Sequence, residues 1–484
     1  MAQANLSTST PNTETSLTLK IAIICTAFIS LLAIVQPSVL PVNSVILSIA
    51  LMIAMCLIRM PVAVALIAAA MVGAIHSGMT AHQAIGAVNE NLASGAQVGM
   101  TYIMIGAFAV ALARSGLLDL LAKKCTNTVN NNQSIKSIKW LLFTLFIIAS
   151  VMSQNIIPVH IAFIPVMIPP LLVIFNKLHI DRRAVACIIA CSISVSYLLL
   201  PTGFGAIYLF EILLPNVNAT AAEFNVSITT DQVPQAMFLP VMGIVAGMFV
   251  AVFFSYRKPR QYDTQKTEQL VVNNHEAKLN FKELFFVLAA IAVALIFQVK
   301  FDSLLLGSMV GFILLTLSGV FNWKQQDDVF TEGMRMMVQI AVIITIAAGF
   351  AGVLTATGSI PSLVESTAEL IGHNKAIAAL LMLLVGLFIT IGFGDSFASV
   401  PILAPIYVPL ALSLGFSPAA TIALLGASAA LGDAGSPAST ISLGVTSGLN
   451  ADGQHDHIRD SVIPTFTHAN FGMVIFAWAA ALIL

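Results

Sequence analysis

A chain of 484 residues that is 58% hydrophobic and only 9% charged is not a soluble enzyme or nucleic-acid binder, because soluble domains carry about 25% charged residues. A net charge of −1 and a mean hydropathy of +0.95 leave a multi-pass membrane protein with no electrostatic case for a nucleic-acid partner.

The first stretch, residues 1–18, is polar and nearly uncharged, and Lys20 leads straight into an apolar run. That pattern predicts an uncleaved anchor. Spans of about 20 apolar residues follow near 19–37, 42–58, 61–78 and 97–116. The next stretch, 140–172, is too long for one crossing and is basic on both flanks: Lys136 and Lys139 before it, Lys177, Arg182 and Arg183 after it. Basic residues mark the cytoplasmic side, so the stretch enters and leaves by one face. It is a re-entrant hairpin or a pair of short helices, with its tip at Ser153, Gln154 and Asn155.

The span 184–214 is broken midway by Ser194, Ser196 and then Pro201-Thr202-Gly203-Phe204-Gly205. After the span 235–255 comes a hydrophilic linker, 256–281. The second part holds spans near 282–299, 303–321, 336–358, 376–412, 418–449 and 465–484. The stretch 376–412 is a second hairpin, with its tip at Gly394-Asp395-Ser396. The stretch 418–449 is a second broken span, interrupted by Gly432-Asp433-Ala434-Gly435-Ser436-Pro437-Ala438-Ser439-Thr440. Proline removes a backbone donor and glycine weakens a helix, so no helix runs comfortably through such a run. The run Pro361 to Leu370 reads as a short amphipathic interfacial segment.

The two parts are related. Asn155, Pro165 and Pro169 stand at the same spacing as Asp395, Pro405 and Pro409, 240 positions later, and Gly106, Val110 and Ala113 match Gly349, Val353 and Ala356 at an offset of 243. The predicted organisation is a tail with extra membrane helices (1–59), a first repeat (60–255), the linker (256–281) and a second repeat (282–484); the span 42–58 has no counterpart in this reading. Placing both long stretches as hairpins puts the N-terminus in the cytoplasm and leaves only Lys300 and Lys375, of 21 Lys and Arg, outside. The halves then run in opposite senses. The predicted fold is an all-α polytopic membrane protein, an inverted-repeat transporter with two re-entrant hairpins and two broken helices, in the cytoplasmic membrane.

Most carboxylates fall in loops or at span ends, whereas Asp395 and Asp433 lie inside long apolar stretches. A charge at the bilayer centre costs about 2.5–3.5 kcal/mol on insertion scales. No Lys or Arg lies deep in a span to offset it, so a proton, a bound cation or a cationic substrate must. The candidate binding residues are Ser153, Gln154, Asn155, Pro201, Thr202, Gly203, Asp395, Ser396, Asp433, Ser436, Pro437, Ser439 and Thr440, with Asn155, Asp395 and Asp433 as Na+ candidates. Freed carbonyls and hydroxyls at helix breaks suit a small hard cation. No cofactor is implied beyond Na+ or H+ as coupling ion.

Weaker signals read as structural. The cysteines form no metal-ligand spacing, and Cys187 and Cys191 share one helix face as packing residues. His455-Asp456-His457 reads as a solvated cytoplasmic loop. His160 is a polar lining residue or a proton carrier. Sequons at Asn218 and Asn225 fall in a predicted outside loop.

A polar-tipped hairpin, a proline-ended helix and a span broken at Pro-Thr-Gly resemble the ion-transporter superfamily. The run Gly432 to Pro437, with the trailing Asn450-Ala-Asp-Gly-Gln-His-Asp-His457, resembles more narrowly the NhaC-type Na+/H+ antiporter family, from about residue 60 onward. The tip Ser153-Gln154-Asn155 departs from the Ser-Asn-Thr tip of the dicarboxylate carriers, and the acid at the second tip argues against an anionic cargo. The resemblance implies a cation-coupled secondary transporter, a mobile transport domain beside a scaffold, a homodimer, and a small cation as cargo. Relatives regarded as amino-acid or histidine permeases keep Na+- or H+-coupled amino-acid uptake open. Gly392-Phe393-Gly394-Asp395 also resembles intramembrane aspartyl proteases, but their partner aspartate comes earlier in the chain and a duplication serves no protease.

Overall fold

Long apolar runs interrupted by proline and glycine become helices that stop and restart. The computed structural model describes residues 17–117, 135–155, 164, 168–271, 281–301, 303–371, 374–437 and 439–484, and all regular structure among them is helical. Among the described residues, eight helices are long and apolar enough to cross a bilayer. His160, Pro165 and most of the first hairpin's return limb lie outside the described residues.

Helices α1 (Leu17–Val35), α2 (Ser44–Leu57) and α3 (Val62–His76) precede the long α4 (Ala81–Arg114). Thr80 starts α4 with a capping box shared with Gln83. Helix α5 (Ile135–Asn155) ends at the first tip, and α6 (Leu172–Lys177) leads to α7 (Arg182–Leu199). After a break at 200–203 the chain resumes as α8 (204–221), whose middle, Ile207–Leu213, is π-helical. Helix α9 (Gln232–Val250) closes the first half, and α10 (Thr264–Val271) lies in the linker.

The second half contains α11 (Phe281–Phe301), α12 (Leu304–Ser318), the long α13 (Gln326–Ala356) and α14 (Ile360–Ile371). One face of α14 is buried through Ile360, Val364 and Ala368, as an amphipathic segment requires. Helix α15 (Lys375–Phe393) reaches the second tip, and α16 (Ser396–Ser413) leaves it. Helix α17 (Pro418–Ala430), a break at 431–439 and α18 (Thr440–Leu449) follow, and α19 (457–483) closes the chain. Among the described residues, a long helix, a helix to a tip, a broken helix and a closing helix therefore occur in that order in both halves.

The long helices α4 and α13 cross at the centre and pack along much of their length. They approach closely where Gly106 meets Gly333: a Cβ on Gly106 would lie 2.4 Å from the Gly333 carbonyl oxygen. The pair α2–α3 packs on α13 and the pair α11–α12 packs on α4, each through its second helix.

The loops gather in two groups. At one end the linker lies between 176–183 and 450–460. Arg182 makes a bidentate pair with Asp452 at 2.6 Å, both side chains fully buried. Tyr262 stacks 4.3 Å from that guanidinium, and Thr267 donates to Asp452 at 2.7 Å. Burial alone would raise the Asp452 carboxyl, but hydrogen bonds from Arg182, Thr267 and Gln454 outweigh it and hold it below the usual range. At the other end, Asn43 and Ser44 bond Ser359, and Lys375 bonds the Gly415 carbonyl.

Two expectations change here. His455 is not solvated: it is 1% exposed, with Nε2 2.8 Å from Ser461 Oγ, and burial pushes its pKa down to about 4. Asn218, expected in a loop, lies in α8, and its amide donates to the Ile228 carbonyl (2.9 Å) and accepts the Ile228 N–H (2.8 Å). Cys187 and Cys191 are buried free thiols in α7.

Candidate functional site

Each hairpin tip seats on the broken helix of its own half. Gly203 has φ +58°, and a Cβ there would lie 2.2 Å from the Gln154 carbonyl oxygen; Gly394 has φ +60°, and its Cβ would lie 2.6 Å from the Ser439 nitrogen. Only glycine fits both the backbone conformation and the contact. Thr202 Oγ1 donates to Asn155 Oδ1 at 3.3 Å, and Asn155 Nδ2 donates to the Val151 carbonyl at 3.1 Å. In the second half Ser436 Oγ donates to the Ile391 carbonyl at 2.8 Å, in the last turn of α15, where helix carbonyls lack intrahelical partners.

Between the second tip and its break lies Asp433. Its Oδ2 accepts from Tyr197 Oη at 2.6 Å and from Ser396 Oγ at 2.9 Å, while Ser439 Oγ lies 3.1 Å from Oδ1. Tyr197 comes from α7, so this bond joins the two halves. Asp395 caps α16, its Oδ1 accepting the Ala398 N–H at 2.9 Å. The N-termini of α8, α16 and α18 all end at this region, each contributing a partial positive charge beside the carboxylates.

The site opens on a cavity of about 20 Å³ lined by Tyr102, Gln154, Tyr197, Phe204, Met337, Ile340, Asp395, Phe397, Asp433, Thr440 and Ile441. This holds about one water-sized species. One wall is the crossed pair α4 and α13; the other is built from tips and breaks. Among the described residues, the lining contains two carboxylates and no Lys, Arg or His. Phe397, just past the second tip, packs among Tyr102, Tyr197, Phe204 and Tyr208, with ring centroids 5.2–6.4 Å away.

The predicted residues separate into three groups. Gln154, Asp395, Asp433 and Thr440 line the cavity, and Ser396 and Ser439 hold Asp433 from behind. Ser153, Asn155, Thr202, Gly203 and Ser436 are spent on backbone and tip contacts, Ser153 donating to the Ser150 carbonyl at 2.8 Å. Pro201 and Pro437 are exposed residues of the breaks, outside the lining. Of the Na+ candidates, Asn155 is thus not a lining residue, whereas Asp395 and Asp433 are. Among the described residues no group of three or more His, Cys, Asp or Glu could hold a metal.

Sequence reasoning missed Tyr102, Tyr197, Phe397 and Gln298. Gln298 of α11 accepts the Gly203 N–H at 2.9 Å and donates to the Gly203 carbonyl at 3.1 Å. It was legible as a buried amide in an otherwise apolar span. Tyr197 was legible too: it stands 236 positions before Asp433, as Pro201 does before Pro437.

Residues 188–480 match the Na+/H+ antiporter family, and residues 43–129 match a second grouping described as a Na+-H+ antiporter family. An uncharacterized membrane protein of Vibrio parahaemolyticus is 46% identical over 91% of this chain and 100% of its own length. The putative amino acid transporter YuiF of Bacillus subtilis is 42% identical over 83% of this chain and 91% of its own. Two solved structures share the fold at 16% identity. The YdaH transporter of Alcanivorax borkumensis has a TM-score of 0.52 over 81% of this chain and 86% of its own. MtrF of Neisseria gonorrhoeae, described with a class of antimetabolite efflux pumps, has a TM-score of 0.54 over 83% of this chain and 84% of its own.

Proposed function

The chain belongs to the Na+/H+ antiporter family and is a multi-pass secondary transporter, and from that premise we propose that Asp395 and Asp433 form the site where Na+ and protons compete. The observation that carries this reading is a cavity whose lining, among the described residues, holds two carboxylates and no cationic side chain. Such a site attracts a cation and repels an anion. Protonation of the carboxylates removes the attraction, so proton uptake from one side releases Na+ and proton loss to the other readmits it. The cavity volume, about 20 Å³, suits an ion in this conformation better than a larger solute. No covalent chemistry is required of these groups, and the protein acts as a carrier and not as a protease.

The same reading places the linker end and the N-terminus in the cytoplasm, in the cytoplasmic membrane, with the halves inverted about the crossed pair α4/α13. It is supported by the grouping of basic loops at the linker end. In place of a boundary near residue 60, α2–α3 and α11–α12 are taken as mates, since each pair packs on the other half's long helix, and α1 is the added helix.

A second reading, cation-coupled amino-acid transport, is favoured by the 42% identity to YuiF. One experiment separates them. In proteoliposomes with an imposed pH gradient, Na+ alone should dissipate the gradient in wild-type protein, and Asp433→Asn should not support it. Gradient dissipation that requires an amino acid from a labelled panel favours the second reading. Wild-type Na+ dependence in Asp433→Asn removes the site assignment.

A further inference from the structure

Among the described residues, one fully buried polar atom on the cavity has no hydrogen-bond partner. Tyr102 belongs to α4, on the crossed-helix wall, facing the wall that carries Gln154, Asp395 and Asp433. It is 3% exposed, and among the described residues its hydroxyl has no hydrogen-bond partner. Buried hydroxyls in native proteins are nearly always paired, so an orphaned one calls for an explanation. Its aim is not free to relax, because the ring packs at 5.3 Å from Phe204 and 5.2 Å from Phe397. Tyr197, the other tyrosine of the lining, differs in that its hydroxyl is committed to Asp433.

A phenol oxygen can accept as well as donate, and a small hard cation takes neutral oxygens beside carboxylates. We propose that Tyr102 Oη is an oxygen ligand of the transported cation, supplied from the crossed-helix wall, so that the cation site is complete only while the two walls are closed on each other. This rests on the reading of Asp395 and Asp433 as the cation site. It adds a reason for release: parting of the walls removes a ligand, and affinity falls with the movement itself. A ligand that contacts one state and not another biases the equilibrium between them, so bound cation also holds the walls together.

Tyr102→Phe tests this with the ring contacts kept and only an unpaired hydroxyl removed. The Na+ half-saturation constant of exchange should rise roughly tenfold, with the maximal rate within about twofold of wild type. The thermal stabilisation that NaCl, relative to choline chloride, gives the detergent-solubilised protein should shrink in the same variant. That second measurement needs no transport activity. Wild-type values of both quantities in Tyr102→Phe overturn the inference and leave Tyr102 as packing. Asp433→Asn, measured alongside, distinguishes the failures. If it loses Na+ dependence while Tyr102→Phe behaves as wild type, only the Tyr102 assignment falls. If it keeps wild-type Na+ dependence, the underlying cation site falls and this inference with it.

Discussion

The two tip-and-break assemblies share one construction and differ in charge. Each tip seats on its own break through a left-handed glycine, Gly203 or Gly394, and each break carries an exposed proline, Pro201 or Pro437. At the first tip and break the polar groups are neutral and, Gln154 apart, engaged by the protein itself: Asn155 bonds Val151 and Thr202, and Gln298 of α11 clasps both backbone groups of Gly203. In the second half Asn155 gives way to Asp395 and Tyr197 gives way to Asp433, at corresponding positions. The tyrosine and its acidic counterpart hydrogen-bond each other across the halves. A duplicated scaffold thus keeps its geometry twice and its charge once. On the proposed reading the neutral half acts as the clamp and the acidic half carries the cation site.

The largest expected effect separates clamp from chemistry. Asp433→Asn should reduce Na+-driven exchange at least about a hundredfold, equivalent to roughly 2.7 kcal/mol, whereas Asn155→Ala, which removes two neutral hydrogen bonds and no charge, should cost under about tenfold. Both are read from initial rates in proteoliposomes of matched protein content. Equal losses would erase the division of labour.

Next come the glycines. Gly203→Ala and Gly394→Ala each force a non-glycine residue into positive φ, costing about 1–3 kcal/mol, on top of backbone contacts under 3.0 Å. Both should lower yield and melting temperature to a similar degree. Tolerance at one site alone would show that only one tip is tightly seated.

A smaller effect tests the clamp from outside. Gln298→Leu orphans the Gly203 N–H and carbonyl and should destabilise the protein by about 1–3 kcal/mol; Ser436→Ala, which removes one hydroxyl from the Ile391 carbonyl, should cost about 0.5–1.5 kcal/mol. Thermal unfolding in detergent compares them.

The smallest effect concerns pH at the linker end. His455 has a pKa lowered from 6.5 to about 4 by burial, so the unfolded chain binds its proton first. Stability should fall as pH drops from about 6.5 to about 4, then level off. His455→Gln should flatten that part of the melting-temperature profile relative to wild type; an unchanged profile would mean that the histidine is accessible to water.

Much of this was legible beforehand. Pro201-Thr202-Gly203 and Gly432 to Ser439 announced breaks because proline and glycine act locally, and α7 and α17 do stop at Leu199 and Ala430. Asp395 and Asp433 were identifiable because a lone acid in an apolar stretch is costly wherever the chain places it. Asn155 was noticed as a cation candidate because its type is polar, but whether an amide faces a cavity or its own helix depends on the rotamer and the neighbour, and here it bonds Val151 and Thr202. His455 was read as solvated because the loop around it is hydrophilic, yet Ser461 and the turn of 450–456 enclose it.

The sequence by itself determined the membrane class, the break positions and the two buried acids, since hydrophobic length, proline chemistry and the cost of buried charge are properties of residues and their spacing. Only the tertiary structure decided which polar groups share a cavity. Tyr102, Gln154, Tyr197, Asp395 and Asp433 come from five separate segments, and no local rule brings them together. The crossing of α4 over α13 and the seating of each tip on its break do so, because those contacts are made by close backbone approach between segments distant in the chain.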